Sequence, residues 1–322
     1  MQVQPAVTQS DVARVAGVSR GLVSLALADS PKVAEATKAR IRAIADELGY
    51  SRNFGAAALA SSSSTLLGVV LPNLRNPYFE SLMAALQGEA ESRGLTVLAA
   101  TASGDEAREI AMLEHFRAMR VGGVVLATPS RSASHYAQFA SRLPLVIAGS
   151  PYAVGPAHVV HIDEYRAARQ VVQRGLAEGH RRCVYVMPAG GDGATQYRRA
   201  AIAAACDEAD APLAIVDATD RARLVDEIAT HPEQVCVIAH HDLLAIEIVS
   251  LALQQGWRLG AEVGLVSYDN TFLAAYEGFS LTSVDQQPRV QARRALDAIA
   301  EPGGDVGRDL VVELQLVTRT SG

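Results

Sequence analysis

The spacing of apolar residues changes character near residue 62. Upstream, apolar positions recur every three or four residues: Val12, Ala13 and Ala16, then Ile41, Ile44, Ala45 and Leu48. That period predicts short helices with one buried face. Thr8, with Asp11 three residues on, has the form of a capping box at the start of the first helix. Gly17-Val18-Ser19 interrupts the pattern, and Ser19 suits the cap of a second helix running to about residue 28. A third helix is expected from about 35 to 48, with Gly49 as its left-handed terminator.

Ser61 to Ser64 form a polar joint. Beyond it, short apolar runs at 66–71, 95–100, 121–127, 145–148, 159–162, 183–187, 213–216, 235–239 and 263–267 read as strands. Stretches of helical period, such as 78–93 and 107–119, lie between them. Strand and helix in alternation predict right-handed βαβ units and parallel sheets. Nine such strands exceed one typical open sheet, so two similar lobes are expected, with a break near Asp163. The chain recrosses near 283–288, a helix follows from about 289 to 300, and a last strand spans 310–317. The expected organisation is an all-α helix-turn-helix head at 1–52, a hinge helix and linker at 53–64, and an α/β two-lobed domain at 65–322. Its first lobe takes about 65–162 and 286–306; the second takes about 163–285 and 307–322.

Charge sharpens this division. The net charge is −6, but through residue 60 seven basic residues face five acids, so the head is +2 and the rest −8. A mildly basic head on an acidic body suits a protein that touches phosphate with one end only. No apolar run approaches a membrane span, and the start lacks a basic segment followed by an apolar one. Cys183, Cys206 and Cys236 lie far apart among apolar or small residues, which predicts buried reduced thiols in a cytoplasmic protein. No metal or other cofactor is expected.

The first two helices carry the logic of a DNA-reading unit: Gly17 permits the turn, Val18 plugs the angle, and the second helix offers its first turn to the major groove. The series Thr8-Gln-Ser-Asp11-Val12-Ala13-Arg-Val-Ala16-Gly17-Val18-Ser19, then Val23-Ser24, resembles the head of the lac repressor (LacI/GalR) family. Thr37-Lys-Ala-Arg40-Ile41 and Glu47-Leu48-Gly49-Tyr50 resemble that family's third helix, and Asn53, Ala56 and Leu59 its hinge. The resemblance covers essentially the whole chain. It implies a transcription regulator, here expected to be a repressor. Such a protein binds near-palindromic double-stranded operator DNA as a homodimer under control of a small-molecule effector. It puts base reading at Arg20, Gly21 and Leu25. Arg20 offers two hydrogen bonds to guanine; Leu25 either meets a thymine methyl or is core; Gly21 has no side chain to read with. Thr8, Ser19, Ser24, Thr37 and Asn53 are cast as phosphate contacts or caps. The hinge, 53–60, is too short to be a stable helix alone, and Leu59 is implied as a minor-groove wedge.

The body resembles the same family's periplasmic-binding-protein-like fold. Gly68-Val-Val-Leu71-Pro72 with Asn76-Pro77-Tyr78-Phe79, Gly179-His180-Arg181, Arg198, and Gly264-Leu-Val-Ser-Tyr268-Asp269 carry the likeness. The resemblance implies effector contacts at Tyr78, Phe79, Asp163, Arg198, His241, Asp242 and Asp269. Each falls near the carboxyl end of a strand, where open α/β sheets bind ligands. Tyr78 and Phe79 are ring platforms or lobe core. Arg198 and Asp269 are ligand contacts or surface and ion-pair residues. Asp163 is a ligand contact or a helix cap. His240-His241-Asp242 departs from the family pattern, and His241 can read a carboxylate or make affinity depend on pH. A receptor of the same body fold without DNA regulation is the alternative, but it would lack the series through Ser24. No Gly-x-Ser-x-Gly elbow at a strand-to-helix turn (Gly17-Val18-Ser19-Arg20-Gly21 lies between two helices), no His-Glu-x-x-His and no phosphate-cradling glycine loop is found, so no enzyme is expected.

Overall fold

Three helices, α1 (Gln9–Ala16), α2 (Arg20–Leu27) and α3 (Glu35–Glu47), form the head. The computed structural model describes residues 7–50, 64–130, 133–149, 151, 155–190, 193–230, 232–301 and 307–322. Asn53, Ala56 and Leu59, and with them the expected hinge, lie outside the described residues. The Thr8 hydroxyl accepts the Asp11 amide at 3.3 Å, and the Asp11 carboxylate accepts the Thr8 amide at 3.0 Å. Both partners of the capping box are therefore present. Gly17 ends α1 at φ +62°, a conformation that costs glycine little. The Ser19 hydroxyl accepts the Leu22 amide at 3.2 Å and starts α2. Val12, Val23, Ala26, Ile41 and Ala45 meet in the head's core, with Val18 packed against them.

By their contacts, residues from Ser64 onward form a second unit. Its first sheet contains β1 (Leu66–Leu71), β2 (Thr96–Thr101), β3 (Gly123–Ala127), β4 (Leu145–Ala148), β5 (His158–Ile162) and β11 (Asp309–Val312), in the order β11-β5-β4-β3-β1-β2 and all parallel. The second holds β6 (Arg182–Met187), β7 (Leu213–Asp217), β8 (Val235–Ala239), β9 (Gly264–Tyr268), β10 (Thr282–Asp285) and β12 (Gln315–Val317). Its order is β12-β10-β9-β8-β6-β7, parallel except for β12 against β10. Strands β1, β3, β8 and β9 are buried along their whole length, as continuous Val/Leu/Ile runs covered by helices on both faces require. The helices between strands are α4 (Pro77–Ser92), α5 (Glu106–Ala118), α6 (Ala133–Ala140), α7 (Glu164–Ala177), α8 (Gly193–Glu208), α9 (Arg221–Ala229), α10 (Asp242–Gln255) and α11 (Pro288–Ala300).

The single strand expected at 310–317 is two strands in different sheets. Strand β11 pairs with β5, and β12 pairs with β10. The chain crosses between the lobes at Glu313-Leu314, where Leu314 is buried. Residues 309–312 thus belong to the first sheet rather than to the second lobe. One alternating pattern runs through both strands, so the crossing leaves no break in the periodicity. Together with the passages after β5 and β10, it makes three strands of chain between the lobes.

Packing between α7 and β8 is close enough to need a glycine. A Cβ built on Gly175 would stand 2.6 Å from the Cys236 sulfur. Gly→Ala in an open helix gains about 1 kcal/mol. Here overpacking of about 1–3 kcal/mol opposes it. Gly175→Ala is expected to lower the urea midpoint of unfolding; a raised midpoint would contradict the packing described.

Candidate functional site

A cavity of about 680 Å3 opens between the two lobes at the carboxyl ends of their strands. Its first-lobe wall includes Asn73, Asn76, Tyr78, Phe79, Thr128, Ser130 and His161; its second-lobe wall includes Thr195, Tyr197, Arg198, His240, His241 and Asp269. Helix positions explain the wall. Pro77 opens α4, and the Asn76 side chain caps it by accepting the Tyr78 amide at 3.0 Å. That cap turns Tyr78 and Phe79 toward the cavity, their rings edge to face at 5.4 Å. Both are also largely buried in the lobe core, so platform and core are the same two side chains.

Arg198 organises the opposite wall. It is 6% exposed, and its Nε and Nη2 donate to Glu164 at 3.0 and 2.7 Å. Its Nη1 donates to the His240 carbonyl at 2.7 Å, and its guanidinium carbon lies 4.1 Å above the Tyr268 ring. Burial opposes the charge on Arg198, but the Glu164 carboxylate more than offsets it and raises the guanidinium pKa. Each terminal nitrogen keeps a second N–H. Asp269 faces Arg198 from the end of β9. Its backbone sits at φ +101°, unusual for a side chain-bearing residue, and its carboxylate accepts from Asn76 (2.8 Å) and from Gln286. Asn76 thus links the first lobe to an acid of the second. Burial pushes the Asp269 carboxyl pKa up despite Arg198 and the two amides.

The histidines stand at the start of α10. The His241 Nδ1 accepts the Leu244 amide at 3.0 Å and caps the helix. An accepting Nδ1 carries no proton, so neutral His241 bears its hydrogen on Nε2. The His240 Nδ1 bonds the Tyr185 hydroxyl at 2.6 Å. Burial first, and the nearby Arg198 second, lower both histidine pKa values, that of His240 further.

Two expected effector contacts are not in the cavity wall. Asp163 uses its carboxylate to accept the Arg166 amide at 3.0 Å, capping α7. Asp242 is fully buried and accepts from Ser267, Ser283 and both the amide and hydroxyl of Thr271. It fastens α10 to the ends of β9 and β10 instead of facing a ligand. Sequence reasoning overlooked Glu164 and Gln286, and noted His240 only within a departure from the family pattern, without a role of its own. The adjacent acids Asp163-Glu164 held a signal: at a helix start, one residue caps and the next can turn inward.

In the head, Arg20, Gly21, Ser24 and Leu25 lie exposed on one face of α2. Leu25 is 42% exposed and is not core. Thr8 and Ser19 are engaged as caps, and half-buried Thr37 lies in the first turn of α3. Several head cations are tied internally. Arg14 pairs with Asp11, Lys38 with Glu35 and Asp29, and Arg42 with Asp29, while Arg40 donates to the Ala16 carbonyl. Among the described residues of the head, Arg20 and Lys32 are the cations without an internal partner.

Asp242→Ala orphans four buried donors, and is expected to cost about 3 kcal/mol or more in denaturant unfolding. A loss under 1 kcal/mol would mean the carboxylate is not the fastener described. The histidines set a pH dependence. Their folded pKa values lie below the unfolded 6.5, so the unfolded chain binds protons first as pH falls. Their contribution is complete above about pH 6.5 and declines as pH drops through that value. Thermal melts at pH 7.5 and 5.5 should show a larger loss for the parent than for His241→Asn, which keeps a capping acceptor and does not titrate. Equal losses would contradict a neutral, capping His241.

No described helix is long and apolar enough to cross a membrane. Residues 8–53 match the family described as bacterial regulatory proteins, lacI family. Residues 64–315 match periplasmic binding proteins and the sugar binding domain of the LacI family. The HTH-type transcriptional regulator PtxS of Pseudomonas plecoglossicida is 28% identical over 330 residues, covering 99% of this chain and 97% of that protein. A crystal structure of the lac repressor dimer bound to operator and the anti-inducer ONPF superposes with TM-score 0.81 at 20% identity, covering 98% of this chain and 99% of that one. The transcriptional regulator CelR–cellobiose complex gives TM-score 0.68 at 23% identity, covering 98% and 100%. With a helix-turn-helix head and a two-lobed, mostly parallel body, the chain belongs to the LacI family of DNA-binding transcriptional regulators.

Proposed function

We propose that the chain is a sequence-specific repressor that works as a homodimer on a near-palindromic operator and is controlled by a sugar or related metabolite bound between its lobes. The observation that carries the effector half is the inter-lobe cavity, with the Arg198–Glu164 pair on one wall and Tyr78 and Phe79 on the other. A sugar effector fits the matched sugar binding domain and the cellobiose held by CelR. Planar fork donors and a carboxylate suit paired hydroxyls, and ring faces suit a sugar's C–H surface. The work is binding, not turnover.

The DNA half rests on the exposed face of α2. Arg20 is the candidate base reader, Leu25 a candidate for a thymine methyl, and Ser24 and Thr37 candidates for phosphate. Two heads need two-fold symmetry, with half-sites about 34–36 Å or a multiple apart. Effector binding moves the equilibrium only by its differential affinity for the DNA-competent and incompetent arrangements.

The test is fluorescence anisotropy on a duplex selected from a random library by the full chain. Salt-sensitive binding is expected, with Arg20→Ala weakening the selected duplex by about 1–3 kcal/mol per half-site and random duplex far less. Failure to bind any duplex would sink the reading. An Arg20→Ala protein with unchanged discrimination would remove Arg20 as the reader.

A further inference from the structure

The cavity has a charge balance that narrows its ligand. Arg198 is its one permanently cationic side chain among the described lining residues, and it is already paired with Glu164. Glu164, itself buried, takes two of its nitrogens, so what remains for a ligand is a pair of N–H dipoles and not a net positive charge. His240 and His241 add no cation. The His241 Nδ1 is occupied by the Leu244 amide, so a second proton on that ring would cost the cap of α10. Burial first, and Arg198 second, push both rings toward the neutral form. His161, on the other wall, turns one nitrogen to the Ile162 carbonyl and the other to the Asp309 carboxylate, which balances any charge it carries.

Asp269 is the opposite case. It is 5% exposed and makes no ion pair among the described residues; its oxygens accept only from the neutral amides of Asn76 and Gln286. An anion entering this space surrenders its hydration and meets the Asp269 carboxylate, while Arg198, the cation that Asp269 faces, is already paired with Glu164. A hydroxylated ligand without charge meets none of these costs. Its O–H groups can replace Asn76 at Asp269, and its oxygens can accept from Arg198 and from the His241 Nε2–H.

Resting on the effector reading above, we infer that the cleft discriminates by charge: it takes an uncharged polyhydroxylated ligand and rejects the carboxylate and phosphate-ester forms of the same skeleton, with Asp269 as the excluding group. The test is isothermal titration of the full chain with matched sets on several hexose and pentose skeletons: free sugar, aldonate and sugar phosphate. The free sugar is expected to bind tightest in each set that binds, with the acid and the phosphate weaker by about tenfold or more. Asp269→Asn should shrink that gap, and a circular dichroism melt checks that the variant is folded. An aldonate or phosphate preferred over its free sugar overturns the inference, as does a panel in which no uncharged member binds. Operator binding without ligand is measured in parallel. Its loss would sink the regulator reading and leave the order of these affinities intact; a reversed order would sink only the charge rule.

Discussion

The buried pairing of Arg198 with Glu164 is the constraint on which the second lobe's half of the cleft depends. Removing two charges from water costs several kcal/mol each, and only close geometry with further hydrogen bonds recovers it. Here the geometry comes from four elements at once. Glu164 is the first residue of α7, Arg198 lies within α8, the carbonyl of His240 ends β8, and the Tyr268 ring ends β9. Each strand end is thereby tied to its neighbours at the point where a ligand is received. Asp242 does similar work just below, joining the start of α10 to β9 and β10 through four hydrogen bonds. The second-lobe wall is braced at Arg198 and Glu164, whose charges are used on each other.

The same economy governs the head. Most of its cations brace its own helices, as the partly hidden Lys38 between Glu35 and Asp29 shows. With few uncommitted cations among its described residues, the head relies on correct placement of a second copy rather than on general attraction to phosphate. Such a head is easily governed from elsewhere. A small change in how two copies are held alters binding more than it would for a strongly basic surface. The acidic body, at −8, adds no attraction of its own.

Much of the fold was legible in the chain. The Thr8–Asp11 box, the Gly17 turn and the alternation of strand and helix are local signals, and the structure follows them to within a residue or two. The final crossing was not legible, because β11 and β12 share one unbroken alternation while pairing with different sheets. The site was half legible. Tyr78, Phe79, Arg198, His241 and Asp269 meet in one cavity from four separate stretches of sequence. Asp163 and Asp242 looked equivalent to Asp269 because all three sit at strand ends; only the local turn decides whether such an acid caps, fastens or faces the cleft. Glu164 escaped notice because its meaning depends on a partner 34 residues away.

If cleft and head share one equilibrium, each must act on the other. Reciprocal linkage tests it most directly. Operator affinity is measured with and without a saturating cleft ligand, and ligand affinity with and without saturating operator, at one salt concentration and pH. The same factor, different from one, is expected in both directions. A factor of one in both would contradict it, since a ligand in the cleft would then carry no information to the DNA.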